Sequence, residues 1–300
     1  MKLLDCELKR GRSANGPGGG VNMTQKVDEL IEDWVTSVPS VYVKLKQVLD
    51  DPESSFKDFA RIINTDPALT ARLLKIVNSP FYGYSEQIET VTHALNIIGT
   101  EQLSQLVLAT TIKEQFGDVP RYLVNMDSFW RHSIACGVAS RVLAKMMKEK
   151  SLDTYYVAGM LHDIGSLVIY KKVPQKAKAI LARVKDNGEN IFDVEREVLG
   201  MTHAAVGARL LRTWKLPTRL IEPVLFHHSP HLAKEFPLAT ALVYLADGVA
   251  CQLKLGNSGE IHVPPFNPAI LSSLGLREDF VREIQDTVKD QYYENLSVFL

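Results

Sequence analysis

Apolar positions recur at three- and four-residue steps along most of the chain, in short runs punctuated by Gly, Pro and capping residues. That period is helical. In TDPALTARLLKIVNSP (65–80), Leu69, Leu73, Ile76 and Val77 share one stripe. Asp66 stands at the N-cap position, and Pro67 where a missing N–H does no harm. Asn78-Ser79-Pro80 closes that helix. Ser55 followed by Asp58 reads as a capping box ahead of FARII. THALNIIG stops at Gly99, and Thr100 is placed to cap EQLSQLVLATTI. Downstream, the period predicts helices over 128–149, 154–164, 175–187, 190–199, 203–214, 217–228, 238–253 and 277–296. Val-rich alternating runs bounded by hairpin turns are missing, so the expected fold class is all-α.

The punctuation also suggests an organisation. Residues 1–22 contain the glycine-rich tract GRSANGPGGG and read as a flexible extension or linker. Residues 23–115 form an expected N-terminal helical subdomain. Gly117 and Pro120 interrupt the pattern within FGDVPRYLVN (116–125), where a second helical subdomain, 116–255, begins. Residues 256–300 read as a C-terminal loop and helical cap.

Composition narrows the function. The chain is 46% hydrophobic and 23% charged with a formal net charge of -1, so no global positive field invites nucleic acid. The short N-terminal helices have helix–turn–helix rhythm, but LTARLLKIVNSPFYGYS offers only Arg72 and Lys75 as cations, and no nucleic-acid partner is expected. The three cysteines, Cys6, Cys136 and Cys251, form no CxxC and suit a reducing compartment. No apolar run is long enough to span a bilayer and no signal-peptide h-region stands out. A cytoplasmic protein without a membrane partner is the expectation.

The chemistry lies in the histidines. Six of the chain's eight fall between 132 and 231, in or beside apolar helices. His132 shares a face with Cys136, Ala139 and Leu143. His162 and Asp163 sit side by side within AGMLHDIGSLVIY (158–170). His203 follows Thr202, an N-cap candidate, at a helix start that disfavours imidazolium. His227 and His228 continue two apolar stripes to the end of one helix. Asp247 lies on the face of Thr240, Val243 and Tyr244, in a helix without Lys or Arg. One such group is ordinarily a hydrogen-bonded core residue, and His93 and His262 are read that way, with His231 as a surface group. A buried aspartate can also pair with arginine, for which Arg131, Arg141 and Arg209 are candidates. The bland reading must nevertheless hold separately for His132, His162, Asp163, His203, His227, His228 and Asp247. A divalent cation compensates the whole set at once, and borderline metals accept mixed imidazole and carboxylate ligands. The two oxygens of Asp163 suit it to bridging two ions.

The series His132, His162-Asp163, Asp247 resembles the signature of the HD superfamily of metal-dependent phosphohydrolases. With His203 and the His227-His228 doublet it resembles the fuller ligand set of the HD-GYP branch, the cyclic-di-GMP phosphodiesterases. TDPALTARLLKIVNSPFYG, followed by IETVTHALNIIGTEQLSQLVLATTI, is similar to the hallmark of the HDOD family, the HD-related output domain of bacterial signalling proteins. MLHDIGSL, THAAVGARLLRTWKLP and HHSP extend that resemblance over roughly 30–250. It implies an HD-domain-like helical bundle with an N-terminal helical subdomain, a regulatory role through signalling partners, and usually no catalysis. It also implies a ligand set for one or two ions of iron, manganese, zinc or nickel. His132, His162, Asp163 and Asp247 would hold one, and His203, His227 and His228 would complete a second with Asp163 bridging.

Two departures separate the chain from the enzymes. Where HD-GYP proteins read HDIGK, with a lysine thought to meet substrate phosphate, this chain has Ser166. HHSPHLAKEFP stands in place of the GYP segment. Phosphoester hydrolysis needs an activated water and positive groups on the developing charge. Only Lys171 and Lys172, more than two turns beyond His162, offer themselves, and they read more readily as a solvated pair. The leading expectation is therefore a signalling module acting by protein–protein interaction. The alternative is a metal-dependent phosphohydrolase acting on a cyclic dinucleotide or nucleotide.

Overall fold

The structure is a computed structural model and describes residues 23–32, 38–80, 82–84, 86–260 and 265–299. The extension 1–22, with Cys6, and the residue His262 lie outside the described residues. The described residues form α-helices and short 3-10 turns, with no strand among them, so the fold is all-α.

The N-terminal helices are α1 (Met23–Ile31), α2 (Ser40–Asp50), α3 (Phe56–Asn64), α4 (Pro67–Val77), α5 (Val91–Ile98) and α6 (Thr100–Thr111). Their ends form largely where the caps predict. Ser55 donates its backbone N–H to Asp58 Oδ2 at 3.1 Å, and Asp66 Oδ1 accepts from the Leu69 N–H at 3.0 Å. Asn78 closes α4 by donating to the carbonyls of Leu74 and Ile88 and accepting from the Ile88 N–H. Thr100 departs from expectation. It is the first residue of α6, and Gly99, at φ +92°, occupies the cap with no side chain to offer. A 3-10 turn, Ile112–Phe116, then leads toward the second group of helices.

That group comprises α7 (Met126–Met146), α8 (Leu152–Leu161), α9 (Ile164–Lys172), α10 (Pro174–Asn187), α11 (Ile191–Leu199), α12 (His203–Thr213), α13 (Thr218–Phe226) and α14 (Pro237–Gln252). The chain ends in α15 (Pro268–Ser273) and α16 (Phe280–Phe299). The period alone predicts a helix over 154–164. In the structure α8 stops at Leu161 and α9 starts at Ile164, so the chain breaks at His162-Asp163. The helix α9 is invisible to the period because it is buried all round. A helix without a polar face shows no amphipathic signal.

One buried apolar cluster runs from Val27 to Tyr292. Its centre is the pairing of α7 with α8 and α14. The helices α9 and α12 pack beside it, as do α13 and α14. Helix α1 is tied to α12 by Arg209, whose Nε and Nη2 donate to Asp28 at 2.5 and 3.1 Å. Helix α6 packs on α8, and Glu101 at its start pairs with Arg219 of α13.

Candidate metal centre

Two close helix crossings set the site. An added Cβ at Gly159 of α8 would lie 2.6 Å from the Cys136 carbonyl oxygen of α7. An added Cβ at Gly165 of α9 would lie 2.0 Å from the His203 carbonyl oxygen and 2.5 Å from the Gly207 nitrogen of α12. Glycine at these positions lets backbones meet, so His162-Asp163, on the break between α8 and α9, sits between the two crossings.

All seven residues singled out from the sequence converge there. His132 Nε2 lies 3.2 Å from Asp247 Oδ1 and 3.8 Å from Asp163 Oδ2. His162 Nε2 lies 3.2 Å from Asp163 Oδ2 and 3.8 Å from Asp247 Oδ1. On the other side, Asp163 Oδ1 lies 3.4 Å from His203 Nε2 and 3.6 Å from His227 Nε2. His228 Nε2 is 2.9 Å from His203 Nε2. Asp163 thus divides its oxygens between two groups of donors. Its position is that of an N-cap to α9, yet its side chain caps nothing.

The tautomers are held from behind. Nδ1 of His162 donates to the Gly159 carbonyl at 2.7 Å, and Nδ1 of His227 donates to the Val224 carbonyl at 2.8 Å. Both rings therefore turn an unprotonated Nε2 inward when neutral. His203 Nδ1 is 2.7 Å from Glu195 Oε2, which also accepts the His203 backbone N–H at 2.7 Å. A carboxylate behind a histidine is the usual device for orienting a metal ligand.

Electrostatics fit a cation-seeking site. Burial pushes His162 down, but Asp163 and Asp247 override it and raise it to about 9. Burial likewise opposes His203, and Glu195 with Asp163 raises it to about 10. The helix start does not act alone on His203: the fully buried Glu195 carboxylate opposes it from 2.7 Å. Burial and the neighbouring cations lower His227, and lower His228 well below the usual range. Despite the cost of burial, His162 holds Asp163 well below the usual carboxylate range, and His132 does the same for Asp247.

The rest of the candidates fall elsewhere. His231 is exposed in the 3-10 turn Pro230–Leu232, and His93 is half-buried on α5. Arg131 pairs with Asp127 at 2.6 Å, Arg141 lies 3.9 Å from Asp153, and Arg209 holds Asp28, so none of the three faces Asp247. Lys171 is bound to Asp118 at 2.7 Å. Ser166 is only 2% exposed.

Sequence reasoning missed Glu195, Glu260 and the two cysteines. Glu195 is one turn short of the end of α11, with no signal beyond its apolar neighbours Ile191, Val194 and Leu199. Glu260 reaches the site from the loop after α14 and shares a donor group with His228 and Asp247. Burial, then Asp247 and Asp163, push its carboxyl well above the usual range. Cys136 Sγ lies 3.5 Å from His132 Nε2, and Cys251 Sγ lies 3.7 Å from Asp247 Oδ1. Their i+4 spacing from His132 and from Asp247 was the legible clue.

A cavity of about 280 Å³ opens onto this centre, lined by His228, Asp247 and Glu260 at its floor. Phe192, Tyr244, Phe266 and Arg196 also line it, and Arg196 donates to Asp193 at 2.6 Å.

The donor set fits a divalent metal on structural grounds. Fully buried His162 leaves Nε2, the atom that faces Asp163 and Asp247, without a hydrogen bond. Among the described residues the donors form two groups of four, His132-Cys136-His162-Asp247 and Asp163-His203-His227-His228, and a third of His228, Asp247 and Glu260, each with its ligand atoms within 4.8 Å of one another.

The HDOD domain family matches residues 35–230. An uncharacterised protein of Treponema pallidum (strain Nichols) is 26% identical over 221 residues, 71% of this chain and 41% of that protein. The chain thus spans less than half the length of that relative. Among solved structures, an HDOD domain protein of unknown function from Geobacter sulfurreducens superposes with a TM-score of 0.71 at 22% identity, over 92% of this chain and 99% of its own. A Shewanella amazonensis protein provisionally named a phosphohydrolase gives 0.67 at 23% identity, over 90% and 97%. A Marinobacter aquaeolei protein provisionally named a signal transduction protein gives 0.68 at 18% identity, over 98% and 64%. At these identities the structural matches speak to the fold.

Proposed function

The chain belongs to the HDOD domain family, and from that premise we propose that it is a bacterial regulatory module whose pocket holds one or two divalent cations and whose N-terminal helices engage a signalling protein. One observation carries the metal half of this reading: Asp163 presents Oδ2 to His132 and His162, and Oδ1 to His203 and His227. His132, His162, Asp163 and Asp247 would hold one ion; His203, His227, His228 and Asp163 would hold the other. Bound there, a divalent metal supplies Lewis acidity toward a phosphoryl oxygen.

The residues of the chain do the positioning. Gly159 O, Val224 O and Glu195 fix three imidazole rings. The ligands come from α7, α12 and α14 and from the ends of α8 and α13, so occupancy bears on the packing of five helices. A ligand that binds only the folded state stabilises it by mass action. That coupling suits a module whose output is a change in what its surface offers a partner.

The Asp163 bridge also favours a second reading, a metal-dependent phosphohydrolase of cyclic dinucleotides or nucleotides. Cation supply argues against it. Ser166 is buried where the resembling enzymes carry lysine, and Lys171 is committed to Asp118. Arg196 is the cation among the described residues lining the cavity, and Asp193 neutralises it. Losing one charge-stabilising contact typically costs about two to three orders of magnitude in rate.

The test is turnover of cyclic-di-GMP with manganese or iron, by the wild type and by Asp163→Ala, alongside a metal-only control. Turnover no faster than that control is expected. Wild-type turnover that disappears in Asp163→Ala would overturn the regulatory reading in favour of the hydrolase.

A further inference from the structure

The two donor groups differ in softness. The second is nitrogen and oxygen throughout. In the first, a sulfur joins His132, His162 and Asp247: Cys136, fully buried one turn beyond His132 on α7. We infer that Cys136 is a further ligand of the first site, adding a thiolate to His132, His162, Asp163 and Asp247, so that this site selects zinc or ferrous iron over manganese. This rests on the metal-pocket reading above and goes beyond the imidazole–carboxylate set it names.

Geometry supports the thiol as a ligand. Ligand atoms about 2.0–2.3 Å from a tetrahedral zinc lie roughly 3.3–3.8 Å from one another. Cys136 Sγ is 3.5 Å from His132 Nε2 and 4.0 Å from Asp247 Oδ1. His132 Nε2 and His162 Nε2 lie 3.2 and 3.8 Å from that same Oδ1. These spacings match neighbouring ligands of one ion to within a few tenths of an ångström. In the same donor group, His162 Nε2 is fully buried and without a hydrogen bond. A buried free cysteine usually behaves as a small hydrophobe. This one instead turns its sulfur toward a ring nitrogen and a carboxylate.

The position is structurally fixed. The close approach of Gly159 to the Cys136 carbonyl holds α8 against α7 at this turn, with His162 less than one turn further on. Cys251 provides the internal contrast. Its Sγ also lies 3.7 Å from Asp247 Oδ1, but it is only half-buried and falls outside the four-atom group. As the sulfur–metal bond forms, the thiol proton leaves to solvent. Thiolate favours zinc and iron, whereas manganese prefers oxygen donors.

Cobalt(II) is the probe, added to the metal-free full-length chain carrying Cys6→Ser. Wild-type Cys136 should give a thiolate-to-cobalt charge-transfer band in the near ultraviolet. Cys136→Ser should abolish that band while visible d–d absorption from the second site persists, and Cys251→Ser should keep it. Zinc affinity of the first site should fall about tenfold or more in Cys136→Ser, at least matching the loss typical of an outer partner. Cobalt bound by the chain without the near-ultraviolet band would overturn the inference and leave the pocket reading intact. No cobalt absorption of either kind would overturn both. A band lost in Cys251→Ser but kept in Cys136→Ser would overturn it in favour of the other thiol.

Discussion

The two halves of the pocket share Asp163 but are supported differently. In the first half, His162 is braced by a backbone carbonyl, and the thiols of Cys136 and Cys251 lie beside His132 and Asp247. In the second, His203 is braced by the Glu195 carboxylate, and His228 rests against Phe192 with ring centroids 5.3 Å apart. The first half lies at the α7–α8 crossing and the second at the α9–α12 crossing. Ligand identity alone makes the halves look alike. The groups behind the ligands make them separable, so changes behind one half should spare the other, and changes at the shared residue should remove both.

The largest effect is expected at the shared residue. Asp163→Ala should empty both halves, which elemental analysis would read directly. A bound metal at a thousandfold excess over its dissociation constant contributes about 4 kcal/mol. Thermal unfolding should therefore fall by roughly 10 °C relative to metal-loaded wild type, at about 2–4 °C per kcal/mol for a chain of this order of size. Retention of one full metal equivalent would break the idea that the halves share a ligand.

Gly165→Ala comes next. Its Cβ would meet the His203 backbone, so α9 and α12 must part. Overpacking of this kind costs about 1–3 kcal/mol. Denaturant unfolding should show that loss, and metal titration should show the second half weakened more than the first.

Glu195→Gln keeps the shape behind His203 and removes the charge. Outer partners of metal-bound histidines typically contribute about 10–100-fold in affinity. Metal titration should show that loss in the second half and little change in the first. Equal weakening of both would contradict the separation. The smallest effect is expected from Arg196→Ala. Its pair with Asp193 is exposed, and changes at such positions usually stay within about 0.5 kcal/mol. Its melting temperature and metal content should match wild type.

Much of this was legible in the sequence, for identifiable reasons. Helix ends such as Asp66-Pro67 and Thr202 carry their caps locally, and both caps form as read. The seven ligand candidates could be gathered because each interrupts an apolar stripe with a group that is costly to bury alone. The break at His162-Asp163 was not legible, since the chain is buried on every side from 153 to 170 and the period gives no boundary. Glu195 was hidden for a different reason: a lone glutamate on a helix ordinarily reads as surface. Only the fold of α11 against α12 brings it to His203. Glu260 lies in a long loop, where no period exists to read.

The most direct measurement is anomalous scattering at the zinc, iron and manganese edges, from crystals of protein purified without an affinity metal. The expected result is density on both sides of Asp163. One peak should lie beside Oδ2 with His132, His162 and Asp247, and the other beside Oδ1 with His203, His227 and His228. The contradicting result is no anomalous peak at either position, together with a melting temperature that neither chelator nor added zinc, iron or manganese moves. The seven residues would then be a hydrogen-bonded polar core and not a metal centre.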